Sequence, residues 1–280
     1  MASQKLHLHH LSRSDKSSIY YHNLFEYPLT ASELIKWKVT SGIKLKRDLF
    51  FSNSSGFYFL KNKENLIKKR FQKEKISEKK IRIAIKASKI IKKIPTILFV
   101  GLTGSCAMKN ATSKSDIDLI IIVKKDTLWI TRPFVYLLLE IFGFPFRRSF
   151  SKNLKDRLCL NIWLDTKNLR WKTKNIFTAH EIAQIKPLVN HQKTHQKFLN
   201  KNKWILDFWP NAVKIPRKLK FTKNSSKIEN LLIHKFIENL AFKAQYLYMK
   251  PKITREVITK NRAIFHPINW SKKVENYLNQ

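Results

Sequence analysis

Residues 97–123 read ILFVGLTGSCAMKNATSKSDIDLIIIV, and their order decides the fold. The apolar run at 97–100 has the length of a buried strand. It ends in a turn, because two of the chain's five glycines, Gly101 and Gly104, fall there within four residues. Glycine lets the backbone turn sharply and lets a phosphate come close to the amides. Ser105 follows at the start of a short helix through Ala107 and Met108, where free N–H groups and the helix dipole favour an anion. Ten residues after Ser105 stands Ser115-Asp116-Ile117-Asp118-Leu119, which runs into Ile120, Ile121, Ile122 and Val123. Residues two apart on a strand share a face, so Asp116 and Asp118 project together while Ile117 and Leu119 turn to the core. Two carboxylates held this close repel, and a cation best stabilises their joint ionisation. Oxygen ligands with room for phosphate oxygens suit Mg2+ or Mn2+.

Working outward, a basic helix is expected over 77–93, with Ile81, Ile85, Ser88 and Ile91 at helical spacing and Pro95 ending it. Downstream lie an apolar helix at 128–142, expected to be buried, and a strand at 157–164. Strand, turn, strand, helix, strand is a mixed α/β pattern. Before this core, Thr30 and Glu33 form a capping box and FFSNSSGFYFL predicts a hairpin around Ser52 to Gly56. Helix, basic connection and hairpin in that order resemble a winged helix. Beyond the core, Thr178 with Glu181 and Ser226 with Glu229 make two further capping boxes, each opening a helix. Trp204, Phe208 and Trp209 are expected to pack the first, and Phe236, Leu240, Lys243 and Leu247 to trace a core-facing stripe on the second. Three regions follow: a winged-helix-like 1–75, an α/β core 76–175 and a helical 176–280.

The chain has 280 residues, 43% of them hydrophobic, enough for ordinary cores. Its formal charge of +37 comes from lysine spread along nearly the whole length. Such a field attracts polyanions, which opens a nucleic-acid partner, but diffuse lysine equally suits a solvated surface. The two cysteines, Cys106 and Cys159, have neither disulfide nor zinc-site spacing, which points to a reducing, cytoplasmic setting. The N-terminus lacks an apolar signal region, and the longest apolar run, at 134–146, is shorter than the ~20 residues of a membrane span. No membrane association is expected.

Gly104-Ser105, a spacer, then Asp116-Ile117-Asp118 is similar to the motif of the polymerase-beta-like nucleotidyltransferase superfamily. Thr103 departs from it, standing at a nominally hydrophobic place. The resemblance implies a core of mixed sheet and helices and transfer of NMP from an NTP to an acceptor hydroxyl, with pyrophosphate leaving. Gly104, Ser105 and Ser115 would hold the nucleotide, Asp116 and Asp118 the Mg2+ or Mn2+. Members commonly add a third carboxylate from a neighbouring strand. Here that segment reads RLCLNIWLD, and alternation puts Arg157, Cys159, Asn161, Trp163 and Asp165 on one face. Asn161 takes the mid-strand place but cannot act as a base. Asp165 shares its face about 13 Å further on; Asp156 precedes the strand. The acceptor stays open between RNA, a small molecule and a protein side chain. An alternative is a catalytically degenerate fold serving as a nucleic-acid-binding or regulatory module. His180-Glu181 lacks the second histidine of a zinc-protease helix and is expected to serve in capping. The cluster His7, His9 and His10 is given no role, Cys106 is expected to pack, and Arg147 and Arg148, which could face the nucleotide or acceptor, are expected to sit in a solvated loop.

Overall fold

The computed structural model describes residues 11–40, 43, 45, 49–148, 151, 153–216, 231–265 and 269–279. The histidine cluster at His7, His9 and His10 and the capping box at Ser226 lie outside them. Helix α1 (Arg13–Asn23) starts on a capping box of Ser12 with Asp15. Strand β1 (Leu29–Thr30) leads into α2 (Ala31–Lys36), whose expected box is present: Glu33 N–H donates to Thr30 Oγ1, and the Thr30 N–H to Glu33 Oε2. Strands β2 (Phe51–Ser54) and β3 (Phe57–Leu60) form the expected hairpin, with Ser55 and Gly56 at positive φ in its turn. With β1 they make a three-stranded sheet in the order β1-β3-β2.

Helix α3 (Asn65–Ile91) begins twelve residues before the helix read from sequence and runs across the boundary drawn at 75/76. Its lysine-rich first turns look like a basic connection. They are anchored by buried Arg70, which donates to Glu33, Glu74 and the Pro28 carbonyl and so ties α3 to the N-terminal region.

The larger sheet has the order β7-β4-β5-β6-β9-β8. Strand β4 (Ile97–Leu102) pairs antiparallel with β5 (Ile117–Val123), and β5 pairs parallel with β6 (Leu158–Asp165). Between them sit the short helix α4 (Gly104–Ala107) and helix α5 (Leu128–Ile141). The region read as helical also supplies β7 (Lys186–Asn190), β8 (Val257–Thr259) and β9 (Arg262–Ile264), which extend both edges of the sheet. Among its helices are α6 (Ile176–Ala183), α7 (Thr194–Lys201), α8 (Leu231–Met249) and α9 (Trp270–Leu278). One sheet face, with Phe99, Ile120, Ile122, Ile162 and Leu164, packs on the N-terminal region, α6 and α7; the other, with Val100, Leu119, Ile121 and Trp163, packs on α3 and α5.

Two expectations of burial are corrected. Only one face of α5 lies under the sheet, and Phe134 and Leu137 are both 54% exposed. The stripe Phe236, Leu240, Lys243 and Leu247 of α8 points outward. Polar contacts turn that helix: Glu238 accepts from the Trp129 and Ile130 amides at the start of α5, and Gln245 donates to the Trp129 carbonyl. Trp209 is fully buried, with Trp204 and Phe208 packed partly against the same core. Among the described residues no helix is long and apolar enough to cross a membrane, and both cysteines are free.

Candidate active site

Strand β4 delivers Gly104 to the mouth of β5. The Thr103 N–H donates to the Asp118 carbonyl at 3.0 Å, which closes the turn onto the strand. Gly104 has φ +62°, and a Cβ there would collide with the Asp118 carboxylate. Glycine is therefore required twice, for its backbone and for the closeness of that acid. Ser105 follows in the first turn of α4, its carbonyl accepting from the Asn110 N–H.

Asp116 and Asp118 converge, as their spacing requires. With Cys159, which pairs with Asp118 across β5 and β6, they bring one ligand atom each within 4.8 Å of one another. Burial and the neighbouring Asp116 push the Asp118 carboxyl up to about 7. Asn161 Nδ2 donates to Asp118 Oδ1 at 2.7 Å, while Asn161 Oδ1 is buried without a partner. Arg147 Nη1 donates to Asp116 Oδ2 at 3.0 Å. Burial, Asp118 and Asp116 hold the Cys159 thiol far above its usual range. A close acid pair with an unpartnered amide oxygen beside it, pressed by a glycine turn, is a set of residues that could hold a cation.

Residues 85–194 match the family model described as "Polymerase beta, Nucleotidyltransferase". Over these residues the chain is similar to the polymerase-beta-like nucleotidyltransferase superfamily. No curated protein matches the chain.

Within the nucleotidyltransferase domain the remaining expected residues divide. Asn161 is in the site; Asp165 is not. The register of β5 on β6 slips between Asp118 and Ile120, so one extra β6 residue is accommodated at 160–162. Strict alternation fails there: Asn161 and Ile162 both face the N-terminal side, and Asp165 falls on the other. It pairs with Val123, five residues along β5 from Asp118 and so about 16 Å away. There the Asp165 carboxylate accepts from Asn261 Nδ2 at 2.5 Å and from the Lys167 and Asp126 amides at 2.7 and 3.2 Å. Asp156 is also engaged elsewhere, on the Nζ of buried Lys80 at 2.6 Å. The Ser115 hydroxyl is held by Thr112, accepting from its N–H at 3.0 Å, and shapes the loop before β5.

Sequence reasoning left two neighbours, Arg147 and Cys159, out of the site and misread the role of Glu181. Arg147, read as a loop residue, sits on Asp116. Cys159, read only for disulfides and zinc, faces Asp118; its place two residues before Asn161 on the same face was the available signal. Glu181, assigned to capping, does not cap: the N-cap is Asn175, which accepts from the Thr178 N–H. Burial and the charge on Asp118 instead push the Glu181 carboxyl up to about 8. Its companion His180 is buried among Tyr21, Trp37 and Trp209, with its Nε2 3.2 Å from His22 Nε2.

Proposed function

We propose that the protein is a divalent-cation-dependent nucleotidyltransferase that moves an NMP group from an NTP to an acceptor hydroxyl and releases pyrophosphate. The observation that carries this reading is the contact of Gly104 with Asp118, a glycine turn lying directly against a carboxylate pair. Asp116 and Asp118 would hold Mg2+ or Mn2+, which when bound supplies charge stabilisation for the attacking and leaving oxygens. The Gly104 and Ser105 amides face the β- and γ-phosphates. Arg147 is free to exchange Asp116 for a phosphate oxygen, since guanidinium serves both acids and phosphates. Ser115 acts on the nucleotide through the loop it braces. The hydroxyl attacks the α-phosphorus in line with the departing pyrophosphate.

The acceptor is RNA, a small molecule or a protein. The N-terminal region, read as winged-helix-like, is the docking element in this proposal, and the lysine-rich surface favours a polyanion. Asn161 in the place of a strand carboxylate favours a second reading, a degenerate fold that binds nucleic acid without transfer. Incubation with each α-32P-labelled NTP, Mg2+ or Mn2+, and total RNA or lysate separates them. Label transfer abolished by Asp116→Ala and by Asp118→Ala supports the enzyme. No transfer, with salt-sensitive RNA binding kept in both variants, supports the binding module.

A further inference from the structure

The spacer between Ser105 and Asp116 runs beside α3 on its way to the mouth of β5. Two polar side chains of that helix, Ser77 and Lys80, stand three residues apart and so on one face, and both meet the spacer. Ser77 is fully buried, and its Oγ accepts from the Ala111 N–H at 3.0 Å. Lys80 is only 1% exposed. Its Nζ donates to Asp156 Oδ1 at 2.6 Å, to the Ser115 carbonyl at 2.8 Å and to the Ser113 carbonyl at 3.4 Å. Its three protons thus have three acceptors.

These contacts fall where the two strands of the site begin. Ser115 immediately precedes Asp116, and Asp156 comes three residues before Cys159. The Asp156 N–H donates to the Ser115 carbonyl at 3.4 Å and the Ile117 N–H to the Arg157 carbonyl at 2.8 Å, so the loops leading into β5 and β6 run together there. Ser115 also closes a turn on itself, its N–H donating to the Thr112 carbonyl and its Oγ accepting from the Thr112 N–H. That turn is internal to the loop; Lys80 ties it to the body of the protein.

Burying an ammonium group is costly, and apolar side chains of similar volume commonly stabilise a fold as well as a buried ion pair does. The other described lysines are half-buried or exposed. What Lys80 adds over an apolar residue is its hold on main-chain carbonyls. We propose that Lys80 is a positioning residue for the acid pair: its ammonium group fixes the Ser113–Ser115 loop, with Ser77 as a second tie at Ala111, and thereby the backbone from which Asp116 projects beside Asp118. The inference rests on the reading of these two aspartates as the cation site. Asp156 is the lesser part of the arrangement, since its carboxylate is 39% exposed and keeps water as a partner without Lys80.

The test measures Mn2+ affinity by electron paramagnetic resonance and the thermal midpoint by circular dichroism, for the unaltered protein and for Lys80→Met, Asp156→Asn and Arg70→Met. Lys80→Met is expected to weaken Mn2+ binding by about tenfold or more, the usual effect of removing a group that orients a metal ligand. Charge alone predicts the opposite sign, because removing a cation near the site would tighten Mn2+ binding. Asp156→Asn, which leaves the carbonyl contacts of Lys80 in place, keeps its affinity. Arg70→Met removes another buried cation of α3, one tied to Glu33 instead, and is expected to lower the midpoint with Mn2+ affinity kept. Unchanged or tighter Mn2+ binding by folded Lys80→Met overturns the proposal. An equal loss in Arg70→Met overturns it as well, by making the loss a consequence of general destabilisation. Should Lys80→Met not fold, Ser77→Ala, which strands one buried amide, is expected to weaken Mn2+ binding by about threefold, and unchanged affinity there overturns the proposal. No Mn2+ binding by the unaltered protein overturns the cation-site reading along with it.

Discussion

Two sheltered aspartates, Asp118 and Asp165, lie on neighbouring strands at opposite ends of one parallel pair. Asp165 is fully buried and saturated, with Asn261 and two backbone amides turned on its oxygens. Asp118 has one asparagine donor, a second carboxylate at its side and a glycine pressed against it. The first arrangement is saturated by neutral donors; in the second, Arg147 pairs with Asp116 and Asp118 keeps a like charge beside it. A carboxylate's partners, more than its burial, separate structure from site.

Substitutions that exchange the two roles test this contrast. The largest effect is expected for Asp118→Asn: transfer falls more than about 100-fold, beyond the usual cost of changing an outer-shell partner of a metal site. Thermal unfolding of the metal-free protein at pH 8 shows a midpoint equal to or above that of the unaltered chain, because a like-charge repulsion has gone. Asp165→Ala should do the reverse. Three stranded donors destabilise the fold by about 3 kcal/mol in urea unfolding, while Mn2+ affinity of the folded protein is kept. Loss of Mn2+ affinity in Asp165→Ala would break the contrast.

Gly104→Ala sharpens it from the turn. The methyl group meets the Asp118 carboxylate and the residue must keep a positive φ, so stability falls by about 1–3 kcal/mol and Mn2+ binding weakens as the carboxylate is displaced. Calorimetry reads both.

The smallest effect is a pH dependence. Asp118, raised from 3.8 to about 7, and Glu181, raised from 4.5 to about 8, bind protons more tightly folded than unfolded. Their contribution to stability is lost as pH rises through those folded values. His22 is lowered from 6.5 to about 4 and His180 is lowered as well, so they remove stability only as pH falls below 6.5. Between pH 6.5 and 8 the acids act alone. The metal-free midpoint is therefore expected to fall across that window, and the fall to shrink in Asp118→Asn.

The glycine turn and the acid pair were legible in sequence because glycine placement and a two-residue acid spacing have few other uses beside a strand. The parting of Asn161 from Asp165 was not. Alternation along 157–165 carries no sign of the slipped register that separates Asn161 from Asp165. The outward turn of α8 was hidden for a related reason: its orientation comes from Glu238 and Gln245 bonding the backbone of α5, whereas Phe236, Leu240 and Leu247 suggest the opposite face. Likewise the first turns of α3 look like a connector until Arg70 finds Glu33 across the fold. Local pattern reaches elements; polar contacts between distant segments decide which way they face.

The central claim is that cation and nucleotide meet at Asp118 and not at Asp165. Mn2+ titration by electron paramagnetic resonance, with and without a non-hydrolysable NTP, compares the unaltered protein with Asp118→Asn and Asp165→Asn. The account predicts NTP-enhanced Mn2+ binding by the unaltered protein and by Asp165→Asn, and its loss in Asp118→Asn. Equal binding by Asp118→Asn would contradict it.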